Sequence, residues 1–175
     1  DSRGRMTQAD CAFGMCVSYQ WQEGADLLDS WHNSTRASET FFTYDENGRV
    51  IHTKTNGIWN DDRFDYREGE TAYLPGGKAA AAQRFQYDSN ENITAEIDAL
   101  GGILAHRYDG NGFRTATTDP NGNASATRYD IWGNVKEFTD AEGRSTIYGW
   151  GDYGELDIVI DGAGNRKTYE HDTRA

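Results

Sequence analysis

In the second half of the chain, short runs of alternating apolar and polar residues are cut by polar turns at even intervals. Ile93, Ala95 and Ile97 fall on one side of such a run, and Leu156, Ile158 and Ile160 on one side of another. Val135, Glu137 and Thr139 share a side with less strict alternation. A period of two places successive side chains on opposite faces of a β-strand, here a modest core on one side and water on the other. The runs between these are aromatic. Phe85 and Tyr87, His106 and Tyr108, Thr127 and Tyr129, Tyr148 and Trp150, and Tyr169 and His171 stand two apart, each pair 21 residues from the next. Phe64 and Tyr66 lie 21 residues before Phe85 and Tyr87. Every second strand therefore carries a ring pair to the same side. Phe64, Tyr66, Phe85, Tyr87, Tyr108, Tyr129, Tyr148, Trp150 and Tyr169 are expected to form a ladder of rings across neighbouring strands.

The interruptions share one form, Asp-x-x-Gly. It recurs at Asp109–Gly112, Asp119–Gly122, Asp130–Gly133, Asp140–Gly143 and Asp161–Gly164, with the first four Asp residues 10, 11 and 10 apart and Asp161 a full 21 beyond Asp140. Asp88, Asp98, Gly101 and Gly154 extend the same set of turn positions. Asp first and Gly fourth suit a type I turn: the carboxylate accepts nearby backbone N–H groups, and Gly adopts the positive φ that returns the chain. About seven residues remain between turns, a strand of roughly 23 Å. Each 21-residue unit is one long β-hairpin. The predicted fold is all-β, a stack of antiparallel hairpins. Ala79–Arg84 alone suggests a single turn of helix.

Towards the N-terminus the register decays. The unit from Tyr66 to Gln86 keeps its ring pair and loses both Asp turns, while Tyr44-Asp45-Glu46-Asn47-Gly48 is again a good turn. Residues 41–175 read as repeats, regular from 85. Residues 1–40 read as a diverged repeat around Tyr19 and Trp21, preceded by an irregular arm over 1–16. No linker separates domains.

Composition narrows the function. Mean hydropathy is −0.86 and 13% of residues are aromatic, so rings rather than aliphatic bulk are available for burial. The net charge of −12, with scattered basic residues, argues against nucleic acid and anionic membrane surfaces as partners. No apolar stretch approaches the ~20 residues of a membrane span. Cys11 and Cys16 lie five apart without a nearby His to complete a zinc shell, and read as ordinary thiols, with a small disulfide loop or half a metal site as the alternative. No metal, cofactor or catalytic residue is expected. The plentiful carboxylates already have a task in turns, and neither Asp109–Gly112 nor Asp119–Asn123 extends to a full calcium loop. His32, His52, His106 and His171 are dispersed, and no nucleophile sits in a recognisable elbow. Rings on an exposed sheet could stack on sugars. Trp59 and Trp132 are the candidate ligand contacts, with Trp150 beside them; Trp132 occupies a turn position where folding does not require a large ring.

The registered Tyr87-Asp88, Tyr108-Asp109-Gly110-Asn111-Gly112 and Tyr129-Asp130-Ile131-Trp132-Gly133, with half-repeat turns at Asp119–Gly122, Asp140–Gly143 and Asp161–Gly164, resemble the Rhs/YD-repeat family. The resemblance is specific over 85–175 and looser over 40–84. It implies an open segment of a spiralling β-shell, from a bacterial polymorphic toxin whose shell encloses a C-terminal toxic domain, often for type VI secretion. The expected partners are the remainder of the parent Rhs protein and its enclosed toxin domain, and no toxin domain is present here. The expected location is secreted or cell-surface, as part of a larger exported protein. Similar repeats in the family are proposed to bind carbohydrate or cell surfaces, the alternative role. Asp119-Pro120-Asn121-Gly122 resembles the family's self-cleavage sequence but sits in register as an ordinary half-repeat turn. Unpaired strand edges are expected to drive self-association.

Overall fold

A computed structural model describes residues 1–9, 17–33, 38–56 and 60–171. Cys11, Cys16 and Trp59 lie outside the described residues. The described chain is all-β except for 3-10 turns at Pro75–Gly77 and Ala79–Ala81. The second of these falls within the segment expected to make one helical turn. No described helix is long and apolar enough to cross a membrane.

The chain divides into two compact units, Asp1–Arg84 and Phe85–Ala175. The first holds β1 (Gln8–Ala9), β2 (Val17–Trp21), β3 (Leu28–Asn33), β4 (Ser38–Tyr44), β5 (Val50–Thr55), β6 (Asn60–Arg67) and β7 (Glu70–Leu74), paired antiparallel in chain order. β8 (Gln83–Tyr87) begins just before the second unit. There follow β9 (Ile93–Ile97), β10 (Ile103–Tyr108), β11 (Arg114–Thr118), β12 (Ala124–Tyr129), β13 (Val135–Thr139), β14 (Ser145–Trp150), β15 (Leu156–Ile160) and β16 (Arg166–Thr168), again in chain order.

Pairing in the second unit keeps the 21-residue beat. Thr117 faces His106 and Ser125, Phe138 faces Thr127 and Thr146, and Val159 faces Tyr148 and Lys167. Each partner lies 21 residues beyond its predecessor. The all-β hairpin stack expected from the sequence is therefore the observed fold.

The looser alternation of the first strand in each hairpin has a structural cause. Tyr108, Tyr129 and Trp150 each end their strand at a shift of register, where Thr115, Lys136 and Asp157 respectively are skipped by the pairing. Asp29 and Ile51 are skipped in the same way opposite Trp21 and Tyr44. A bulge places two residues against one and turns the alternation over at that point.

Little apolar surface is fully buried. Ala95 and Ile97 are the buried apolar residues among those described, beside the polar Ser30, Ser38, Thr40, Asp62 and His106. Polar bonds across strands compensate. His106 uses both ring nitrogens, Nε2 with Glu96 Oε1 at 3.0 Å and Nδ1 with Thr117 Oγ1 at 3.2 Å, and so braces β9, β10 and β11 together.

The segment expected to be an irregular arm carries a regular turn. Gly4 has φ +75° and donates its N–H to the Asp1 carbonyl, while Asp1 Oδ1 accepts from the N–H groups of Arg3 and Arg5.

Candidate functional site

The turns share one geometry. Oδ1 of Asp88, Asp98, Asp109, Asp119, Asp130, Asp140 and Asp161 accepts from the backbone N–H two residues on and again four residues on, at 2.8–3.0 Å. Gly101, Gly112, Gly122, Gly133, Gly143 and Gly164 take φ of +80° to +92° and donate to the carbonyl of the Asp three residues earlier. At the Asp88 turn the same place is held by Glu91, at φ +64°. These carboxylates face their own turn amides. The fifth turn residue is a position the sequence reading missed. Asn92, Asn123, Asn134 and Asn165 return a side-chain N–H to the Asp carboxylate, as Arg5, Arg49 and Arg144 do through Nε.

The same bonds hold Asp45, Asp88, Asp119, Asp130, Asp140 and Asp161 below the usual carboxylate range. At Asp88, Asp119 and Asp161 the Asn side chain is the largest cause, with backbone N–H groups beside it. At Asp45 and Asp140 the backbone N–H of Arg49 or Arg144 leads. At Asp130 partial desolvation is the largest single influence and pushes upward, but Asn134 and the turn amides together outweigh it.

One turn inverts the arrangement. Gly151 stands where Asp is the rule, and Glu155, four residues on, supplies the carboxylate that accepts the Tyr153 N–H at 2.9 Å. A Cβ on Gly151 would lie 2.5 Å from Glu155 Cδ. Gly151→Asp alone is therefore expected to destabilise the chain, and Gly151→Asp with Glu155→Asn to restore it. The thermal unfolding cycle is expected to give a coupling of about 0.5–3 kcal/mol; additive effects would contradict the exchange of roles.

The aromatic column makes a recurring bond. The hydroxyls of Tyr44, Tyr66, Tyr108 and Tyr129 donate to the carbonyls of Leu28, Val50, Ile93 and Arg114 at 2.6–3.0 Å. Trp21 and Trp150 do so with Nε1, to Met6 and Val135 at 2.8 and 2.7 Å. His171 Nε2 meets the Leu156 carbonyl at 2.9 Å. Each acceptor except Met6, which lies two residues before β1, sits at the start of the preceding strand, just past a turn on the same edge. The column requires a flat ring with a donor at its far end, which Tyr, Trp and His share and Phe lacks. A ladder of touching rings is not what joins the repeats: among the described residues from 85 on, the one ring–ring contact is Phe113 on Tyr129, at 5.0 Å between centroids. Tyr108→Phe is expected to cost about 0.5–1.5 kcal/mol by loss of one hydrogen bond. In a chain of this size that lowers Tm by roughly 2–4 °C per kcal/mol. An unchanged Tm would remove the bond from the account.

Above some of these rings lies the fifth residue of the preceding turn. The Arg49 guanidinium sits 4.4 Å from the Tyr66 ring centroid, and that of Arg5 sits 5.2 Å from Trp21. Phe113 covers Tyr129 in the equivalent position. Trp132, the candidate contact at a turn position, is 80% exposed. It lies with Asn134, Trp150 and Tyr153 around an open groove of about 580 Å³.

The repeating Tyr-Asp hairpins match a known pattern. The family model described as RHS Repeat covers residues 87–124. Residues 87–124 carry an Rhs repeat. The chain superposes on the crystal structure of TcdB2-TccC3-TEV with a TM-score of 0.52 at 16% identity, over 91% of this chain and 11% of that one. The crystal structure of TcdB2-TccC3 without hypervariable C-terminal region gives 0.52 at 15% identity, over 86% of this chain and 10% of that one. The chain thus spans about a tenth of the length of these structures, and the likeness is one of fold. Among curated proteins none matches the chain.

Proposed function

We propose that this Rhs chain is a wall segment of a β-shell whose complete protein encloses a C-terminal toxic effector domain and is exported with it. Its task is architectural. The observation that carries this reading is the constant 21-residue register of strand pairing, with a donor-to-carbonyl bond at Tyr108, Tyr129 and Trp150. Such a unit adds identically to its neighbour and extends a wall without a built-in stop. The similar fold within much longer TcdB2-TccC3 structures supports it, one of them described as lacking a hypervariable C-terminal region. The aspartates serve turns, and the buried imidazole of His106 braces strands, so the chain is read as non-enzymatic.

Cryo-electron microscopy of the complete protein containing this stretch tests the proposal. The expected result is a closed wall that includes residues 85–171 and surrounds separate density for a further domain. A sheet standing free of any enclosure would overturn it.

A further inference from the structure

The ring of Trp150 borders a groove and has no cover, a state it shares with Tyr108, where the fifth turn residue is Asn92 bonded back to Asp88. At Tyr66 and Trp21 the fifth turn residue is an arginine, and its guanidinium lies over the ring. At Tyr129 the same place is taken by the ring of Phe113. At Trp150 the fifth residue of the preceding turn is Asn134, whose short amide is turned back to Asp130 Oδ2 at 3.0 Å. Among the described residues no cation and no second ring lies over Trp150. The vacant space is the groove of about 580 Å³, and two more rings border it, Trp132 at 80% and Tyr153 at 96% exposure. Neither ring is needed by its turn, since Asn111 and Ala163 hold the place of Trp132 and Tyr153 in other repeats.

We propose that this groove binds an arginine side chain of a partner polypeptide, its guanidinium stacked on Trp150 as the chain's own Arg49 stacks on Tyr66. The molecule itself displays the occupant in equivalent positions of other repeats. Charge favours the same choice. Asp152 lines the groove, Asp130 and Glu155 flank it in the turns on either side, and the chain carries −12 overall. Lys136 borders the adjoining recess and is the one nearby cation among the lining residues. Aromatic faces attract guanidinium groups through the ring quadrupole, most strongly on Trp. The partner is thus a basic, arginine-bearing segment. The inference stands apart from the enclosure reading, which needs no ligand at Trp150.

The test is a titration of tryptophan fluorescence in the 175-residue chain. The probes are a blocked arginine–glycine–arginine tripeptide, its lysine counterpart, and maltotriose. The arginine peptide is expected to give a saturable change, stronger than the lysine peptide and weakened by salt. Asn134→Arg closes the groove from within, because an arginine at the fifth turn position pairs with its Asp as Arg49 does with Asp45. It is expected to retain Tm and to weaken the peptide about tenfold, the scale of one cation–π contact. Tyr153→Ala, at an exposed ring, provides a second variant that leaves folding alone and is expected to weaken binding too. Equal response to both peptides would reduce the effect to bulk charge and overturn the proposal. Saturable binding of maltotriose without response to arginine would overturn it in favour of a neutral sugar, and silence towards all three probes would overturn it outright.

Discussion

Lowering the pH from 7 to about 3 is expected to destabilise the chain, with Tm falling once the pH drops below about 4. Asp45, Asp88, Asp119, Asp130, Asp140 and Asp161 are all held below the ordinary aspartate range in the folded chain. A carboxyl whose folded pKa is depressed contributes stability above its unfolded pKa, and that stability is lost as pH falls through the folded value. Protonation weakens the acceptor of the backbone N–H groups in each of these six turns. An opposing effect exists, since neutralising a net charge of −12 relieves self-repulsion. That relief belongs to mild acid, on the approach to the isoelectric point near 4.6. Below it the turn losses accumulate and added positive charge brings repulsion back. Circular dichroism melts at dilute concentration between pH 7 and 3 check this. A Tm that stays level to pH 3 would show that the carboxylates do not hold the turns.

The second large effect is expected at Gly133. Its φ is +92°, and a Cβ there would lie 2.6 Å from Phe113 Cζ and 3.0 Å from its Cε1. Phe113 is not free to swing away without giving up its contact with Tyr129. Gly133→Ala therefore combines backbone strain of about 1–3 kcal/mol with crowding of about 1–3 kcal/mol, and a fall in Tm on the order of 10 °C follows at ~2–4 °C per kcal/mol. Gly122 is the matched control. Its φ is +87° and nothing lies within 4 Å of its added Cβ, so Gly122→Ala carries strain alone. Phe113→Asn in the Gly133→Ala background is expected to recover the crowding part. Glu91→Gly is expected to act in the opposite direction, since Glu91 holds φ +64° in the equivalent place. Equal losses at Gly133 and Gly122 would contradict the packing of Phe113.

The parts of the fold that were legible in the sequence are those fixed by local backbone geometry. Asp accepts amides within its own turn and Gly supplies positive φ, so Asp109–Gly112 and its copies show their positions without knowledge of any neighbour. The parts that were hidden depend on what a residue reaches. Tyr108, Trp150 and His171 share a donor at the end of a ring, and that property becomes visible only when the carbonyls of Ile93, Val135 and Leu156 are in view. Asn134 and Arg49 look unrelated until both are seen paired with the Asp of their turn. The turn at Asp1 was obscured because the hairpin after Trp21 runs through a longer loop, closed by Gln22 and Leu27, which breaks the spacing. Trp132 stood out for a simple reason: a large ring occupied a place that turn chemistry leaves unconstrained.

The central claim is a wall of antiparallel strands paired at a 21-residue beat. Backbone NOE spectroscopy of the isotope-labelled chain tests it most directly. The account predicts that Thr117 shows cross-strand contacts to His106 and Ser125, Phe138 to Thr127 and Thr146, and Val159 to Tyr148 and Lys167. Contacts displaced from this register by even one residue, or sequential helical contacts across 85–171, would contradict it.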